Sequence, residues 1–228
     1  MKTVINIVLA LLAVVLIYIC YVSIMGPIKF EEQKKFRDNI VIARLIDIRK
    51  AQQEYRIQNK QKYTSNFDTL INFVKNGRIP LVSKEGTLTD KQLEDGLTEK
   101  KAMAIIEKAK KTGKWNEVKK QGLENFKRDT FWIAVIDTIY PKGYNADSLR
   151  YVPFGNGALF EMDTLTQVTK SGAPIYLLEI KTPYKIYLDG LDGQEIINLI
   201  DVQTKLNRYP GLMLGSLEIP NNNAGNWE

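Results

Sequence analysis

Histidine is absent from this chain, and cysteine occurs once. Those two gaps exclude a good deal of chemistry. Without histidine the commonest general base and the commonest metal ligand are missing. A lone cysteine allows neither an intramolecular disulfide nor a thiolate zinc site. The chain also has no G-x-S-x-G turn and no glycine loop ending in Lys-Ser or Lys-Thr, so the nucleophile elbow and the phosphate cradle are excluded as well. Carboxylates are plentiful, but nothing in their spacing marks a hydrolase pair. The composition points to a non-enzymatic protein with no cofactor, no metal site and no small-molecule substrate.

What the chain does have is one uninterrupted apolar run, Val4 to Met25, ahead of a polar body of about 200 residues. Only Asn6 and Ser23 in the run are clearly polar, and none of it is charged. A helix needs about 20 such residues to cross a bilayer core. The run is longer than the 7–15 residues of a removable signal core, and it exits through Ser23-Ile24-Met25-Gly26-Pro27, a poor cleavage context. Ile19 before Cys20 likewise argues against a lipoprotein site. A retained anchor is therefore expected, with the lipid bilayer as first partner.

Orientation has two readings. Counting lysine and arginine alone, with Lys29, Lys34, Lys35, Arg37 and Arg44 following the run, puts the body in the cytoplasm. Long domains, however, translocate largely regardless of charge, and a three-residue tail resembles the start of an export signal. The expected arrangement is a single-pass inner-membrane protein with a periplasmic or surface-exposed body.

The formal charge of +6, from 32 basic and 26 acidic residues, is modest and well mixed. Lysines with Trp115 and Phe126 interleave in the most basic stretch, but Glu107, Glu124 and their neighbours dilute it. A solvated helical insertion accounts for that stretch, and nucleic acid is not an expected partner. Asp189-Gly190-Leu191-Asp192-Gly193 lacks the alternating oxygen ligands of a calcium loop and reads as turns, with Asp192 capping a helix.

The pattern divides the chain into four parts. Residues 1–28 form the anchor, and Gly26-Pro27 should kink or break its helix. Residues 29–83 hold a charged neck, a long amphipathic helix and a short helix from Phe67 to Asn76, followed by an extended Arg78–Val82. Residues 84–129 form a charged helical insertion. Residues 130–228 form an antiparallel sheet region ending in a polar tail. Strands are expected at Phe131–Tyr140, Leu149–Phe154, Ala158–Met162, Ile175–Lys181, Lys185–Leu188 and Leu212–Ile219, with a helix over Gly193–Val202. The fold class is α+β, a long N-terminal helix packed on an antiparallel sheet.

Between Asn39 and Lys60, Val41, Leu45, Ile48 and Tyr55 share one helical stripe, while Ile42 and Ile46 fall roughly 100–140° away. A helix lying on one sheet needs only a single stripe. Two faces fit either a helix buried on both sides or one that meets the sheet and a neighbouring subunit. Ile40, Ile42, Ala43 and Ile46 are the candidate assembly residues, joined by Trp227 at the last position but one. The aromatics of the sheet region, including Trp132, Tyr144, Tyr151 and Phe154, could instead line a ligand site, although such residues more often form cores and cross-strand pairs.

Ala51-Gln52-Gln53-Glu54-Tyr55, then Asn59, Lys62-Tyr63 and Phe67-Asp68-Thr69-Leu70, resemble the exit of the long helix in type IV pilins and pseudopilins. The resemblance covers about residues 4–76. It implies a structural subunit of a cell-envelope assembly, partnered by other copies of itself or by related subunits. Gln61 stands where that family typically has glycine. The span has no glutamate, and only Met1-Lys2-Thr3 precede it, so processing by a prepilin peptidase is not expected. The whole chain also resembles single-pass Gram-negative envelope proteins ending in Gly-Asn-Trp-Glu, which implies no activity.

Overall fold

In the computed structural model, residues 2–169 and 171–228 are described. Met1, the first residue of the short N-terminal tail, lies outside them. The fold is α+β: a long N-terminal helix, shorter helices and two antiparallel sheets. It divides into two compact units, residues 1–74 with 143–228, and residues 75–142.

The first unit is organised by α1, Lys2–Gln58, which runs as helix through Gly26 and Pro27. Proline costs one main-chain hydrogen bond there, but the good helix formers on both sides sustain the helix, so it does not end at Gly26-Pro27. The rest of this unit comprises α2 (Phe67–Asn76, up to Val74), a 3₁₀ turn (Ala146–Arg150), β3 (Glu161–Val168), β4 (Pro174–Pro183), α7 (Tyr184–Tyr187), α8 (Gly193–Lys205) and β5 (Gly211–Gly215). The sheet order is β3-β4-β5 with β4 central, and Leu178 and Ile180 on β4 are fully buried. Gly215 is left-handed at φ 75°, and a Cβ there would lie 2.0 Å from the Leu178 carbonyl oxygen, so only glycine lets β5 leave the sheet at that point.

The second unit is a ribbon of β1 (Arg78–Glu85) and β2 (Lys127–Ala134) carrying α3 (Asp90–Glu94), α4 (Glu99–Thr112) and α5 (Asn116–Lys120) at one end, with α6 (Val135–Ile139) following β2. The helices enclose a core of their own: Leu97, Ala102, Ala109, Val118, Leu123 and Phe126. Thr89 and Gln92 close a capping box at the start of α3, Thr98 caps α4, and left-handed Gly113 ends α4, each satisfying helix-end groups that would otherwise need water.

Several expected strands take other forms. Phe131–Tyr140 is strand only to Ala134 and then turns helical, and β2 pairs with β1 rather than joining the larger sheet. Leu149–Phe154 is the end of the 3₁₀ turn plus a single bridge, Tyr151 to Leu159. Lys185–Leu188 is α7 and its cap. Pro183 fixes the turn into α7, and the helical path lets Tyr187 bury its ring and donate its hydroxyl to Asp38 Oδ1 of α1 at 2.6 Å. Strand propensity measures fit to a half-buried surface, and here tertiary contacts override it.

The exit of α1 is held by the residues of the Ala-Gln-x-x-Tyr sequence. Ala51 and Gln52 are fully buried. Gln52 donates from Nε2 to the Thr64 carbonyl at 2.6 Å and accepts from the Thr64 N–H at 3.2 Å. Tyr55 meets Phe73 edge-on at 5.3 Å, and the Asn59 amide donates to the Tyr55 carbonyl. Lys60 and Gln61 are both left-handed, at φ 53° and 67°. Replacing Gln52 with alanine removes the partner of both main-chain groups of the half-buried Thr64, and we expect a loss of about 1–3 kcal/mol, read as a lowered midpoint in chemical denaturation. Gln61→Gly relieves the left-handed strain and is expected to raise that midpoint, by up to about 1 kcal/mol.

Candidate assembly surface

One helix serves two environments. From Ile5 onward α1 is long and apolar enough to span a membrane, and the large apolar side chains described up to Ile24 are exposed. Beyond Lys29 the helix enters the body, where Val41, Leu45 and Ile48 are 0% exposed. The helix lies against β5 and the 3₁₀ turn.

Polar contacts fix its rotation. Arg37 donates to the carbonyls of Tyr187 and Asp189, both at 2.8 Å, and sits over the Phe154 ring at 5.1 Å. Lys34 pairs with Asp38 at 3.0 Å. Burial pulls the Lys34 ammonium down, but the hydrogen bond and charge of Asp38, with Glu31, outweigh it and leave the group above its usual range. Burial, then Asp38, pushes the Tyr187 phenol well up. Further along, Arg44 donates to the Ser148 carbonyl and Tyr144 to Asp47 at 3.0 Å.

The candidate residues separate by exposure. Ile40, at 37%, and Ala43 are open, and with Phe36, at 62%, they form an apolar stripe at i, i+4 and i+7. Ile42 and Ile46 are half-buried and line two concavities between α1 and the C-terminal segment. The larger is about 570 Å³ and also involves Tyr184, Tyr209, Met213 and Trp227.

That tail is ordered by the body. Gly215 N–H donates to the Ala224 carbonyl, and Asn226 N–H to the Met213 carbonyl, each at 2.9 Å. Arg49 pairs with Glu228 at 2.8 Å. Trp227 is half-buried, with its indole folded over Gly225, where a Cβ would come within 2.4 Å of the ring. The Gly-Asn-Trp-Glu ending thus closes onto its own domain. In the sequence Phe36 is legible only as one of two large apolar residues, with Phe30, in a charged neck; the structure buries Phe30 and leaves Phe36 open. Its spacing to Ile40 and Ala43 was the signal available.

The aromatics considered for a ligand site do not converge. Tyr184 and Tyr187 are buried beside α1, Tyr151 and Phe154 are exposed, and Trp132 belongs to the second unit. Asp192 caps α8 by accepting from the N–H groups of Gln194 and Glu195. Among the described residues no group of three or more His, Cys, Asp or Glu side chains is placed to hold a metal ion. No family model, curated protein or solved structure matches this chain.

The Tyr144 phenol is pushed up to about 12, first by burial and then by the charge and hydrogen bond of Asp47. A folded value above the unfolded value near 10 stabilises the fold fully below pH 10, and the contribution is lost as pH rises toward 12. We expect the melting temperature to fall through this window, and to fall less steeply in Tyr144→Phe, as followed by circular dichroism.

Proposed function

We propose that this protein is a non-enzymatic, pilin-like structural subunit of a cell-envelope assembly, anchored in the inner membrane with its body outside the cytoplasm. The observation that carries the reading is the division of α1. The large apolar side chains described between Ile5 and Ile24 are exposed, the second half is seated in an antiparallel domain, and one apolar stripe, Phe36-Ile40-Ala43, stays uncovered on that second half. An uncovered stripe on the same helix as the apolar run, beyond the charged stretch 29–35, is suited to packing against the same helix of another subunit, where burial of apolar surface drives association. Pro27 supplies a point at which the helix can bend between anchor and body.

Ile40→Lys with Ala43→Glu places opposite charges on that stripe without entering the core. We expect this variant to lose its high-mass form in blue-native gels while its far-UV circular dichroism is unchanged. An unaltered complex size would retire helix-mediated assembly and leave an anchored monomeric binding domain as the reading to pursue.

A further inference from the structure

The β1–β2 ribbon carries more uncovered apolar surface than a two-stranded sheet normally shows to water. Leu81 is 54% exposed, Phe131 55% and Trp132 61%, and Val82 and Ile133 are also open. Register divides them between both faces: Leu81 lies opposite Phe131 and Ile79 opposite Ile133 on one side, Pro80 opposite Trp132 and Val82 opposite Thr130 on the other.

The two outer edges differ. Val135 N–H donates to the Gly77 carbonyl at 3.0 Å, one step beyond the Arg78–Ala134 pair. Hydrogen-bonded and open pairs alternate along an antiparallel ladder. The main-chain groups of Phe131 and Ile133 therefore point inward to β1, and those of Thr130 and Trp132 point outward. By the same alternation Pro80 faces outward on β1, where it removes a donor from that edge. A proline so placed is a common guard against edge pairing. On β2 the segment Thr130-Phe131-Trp132-Ile133-Ala134 has neither proline nor charge. One edge is blocked, and the other is a bare template.

We propose that the outer edge of β2 is a self-association surface, pairing antiparallel with the β2 edge of a second copy to close a four-stranded sheet β1-β2-β2-β1. Antiparallel pairing of identical strands is two-fold symmetric, so one edge satisfies both copies and the assembly stops at two. The order leaves the Pro80 edges outermost. At the seam the exposed Phe131, Trp132 and Ile133 of the two copies become cross-strand neighbours, which adds apolar contact to the main-chain bonds of the edge. The ribbon and α1 belong to different units, so the proposal does not rest on helix-mediated assembly.

The test uses the full chain in detergent, in the Ile40→Lys, Ala43→Glu background so that α1 adds nothing. Light scattering coupled to size exclusion is expected to read a protein mass twice that of the chain. Thr130→Pro removes an outward N–H without breaking a bond to β1, and is expected to halve that mass with circular dichroism unchanged. Independently, in a Cys20→Ser chain, a cysteine at Phe131 or Trp132 is expected to cross-link into a dimer on mild oxidation, whereas one at Leu81 stays monomeric. A monomer before any β2 substitution, or a mass unaffected by Thr130→Pro with no cross-link at either β2 position, overturns the proposal. Protection of a label at Trp132→Cys by lipid vesicles, in a chain that remains monomeric, would also overturn it and assign the ribbon to the bilayer.

Discussion

The first unit depends on the burial of Val41, Leu45 and Ile48 beneath the sheet, on the same helix whose described large apolar side chains from Ile5 to Ile24 are exposed. A helix has one axis, so fixing the rotation of its second half fixes which side chains its first half presents in each direction. The buried stripe supplies the driving force, and Arg37, Asp38, Arg44 and Asp47 supply the angle: the first two reach Tyr187 on α7, Arg44 reaches Ser148 on the 3₁₀ turn, and Asp47 reaches Tyr144 just ahead of that turn. The Gln52–Thr64 pair then ends the helical path by turning the chain back toward α2.

The C-terminal segment has a related role. It extends β5 by main-chain bonds, ties Arg49 of α1 to Glu228, and places Asn223 so that its amide donates to Tyr63 at 2.8 Å. The last residues therefore hold the start of the body and the exit of its first helix.

The second unit obeys a different constraint. Its helices bury a small core of their own and hold one end of the ribbon, but nothing among the described residues of that unit covers the Leu81-Phe131-Trp132 surface. Arg128 shows where the covered part ends: it is 4% exposed, stacks over Phe126 at 3.9 Å and pairs with Glu99. Two residues further along β2 the surface is open. A strand pair with one proline-guarded edge and one free edge has a built-in polarity, and that polarity limits what can add to it.

The long apolar N-terminal helix, its principal stripe and the Asp192 cap were legible in the sequence because each depends on residues close together in the chain. Length and apolarity identify a candidate span, a 3.6-residue period identifies a buried face, and Asp192 makes a cap within one turn. Strand identity was less legible. Lys185–Leu188 became helix because Tyr187 is needed against Asp38, about 150 positions earlier, and Phe131–Ala134 joined β1 instead of the larger sheet. Only the tertiary structure decided that Trp227 folds onto Gly225, that Ile42 and Ile46 face the tail, and that Phe36, Ile40 and Ala43 remain open. Periodicity gives the angle between side chains on a helix, but which face meets a neighbour depends on long-range packing, and no local pattern encodes it.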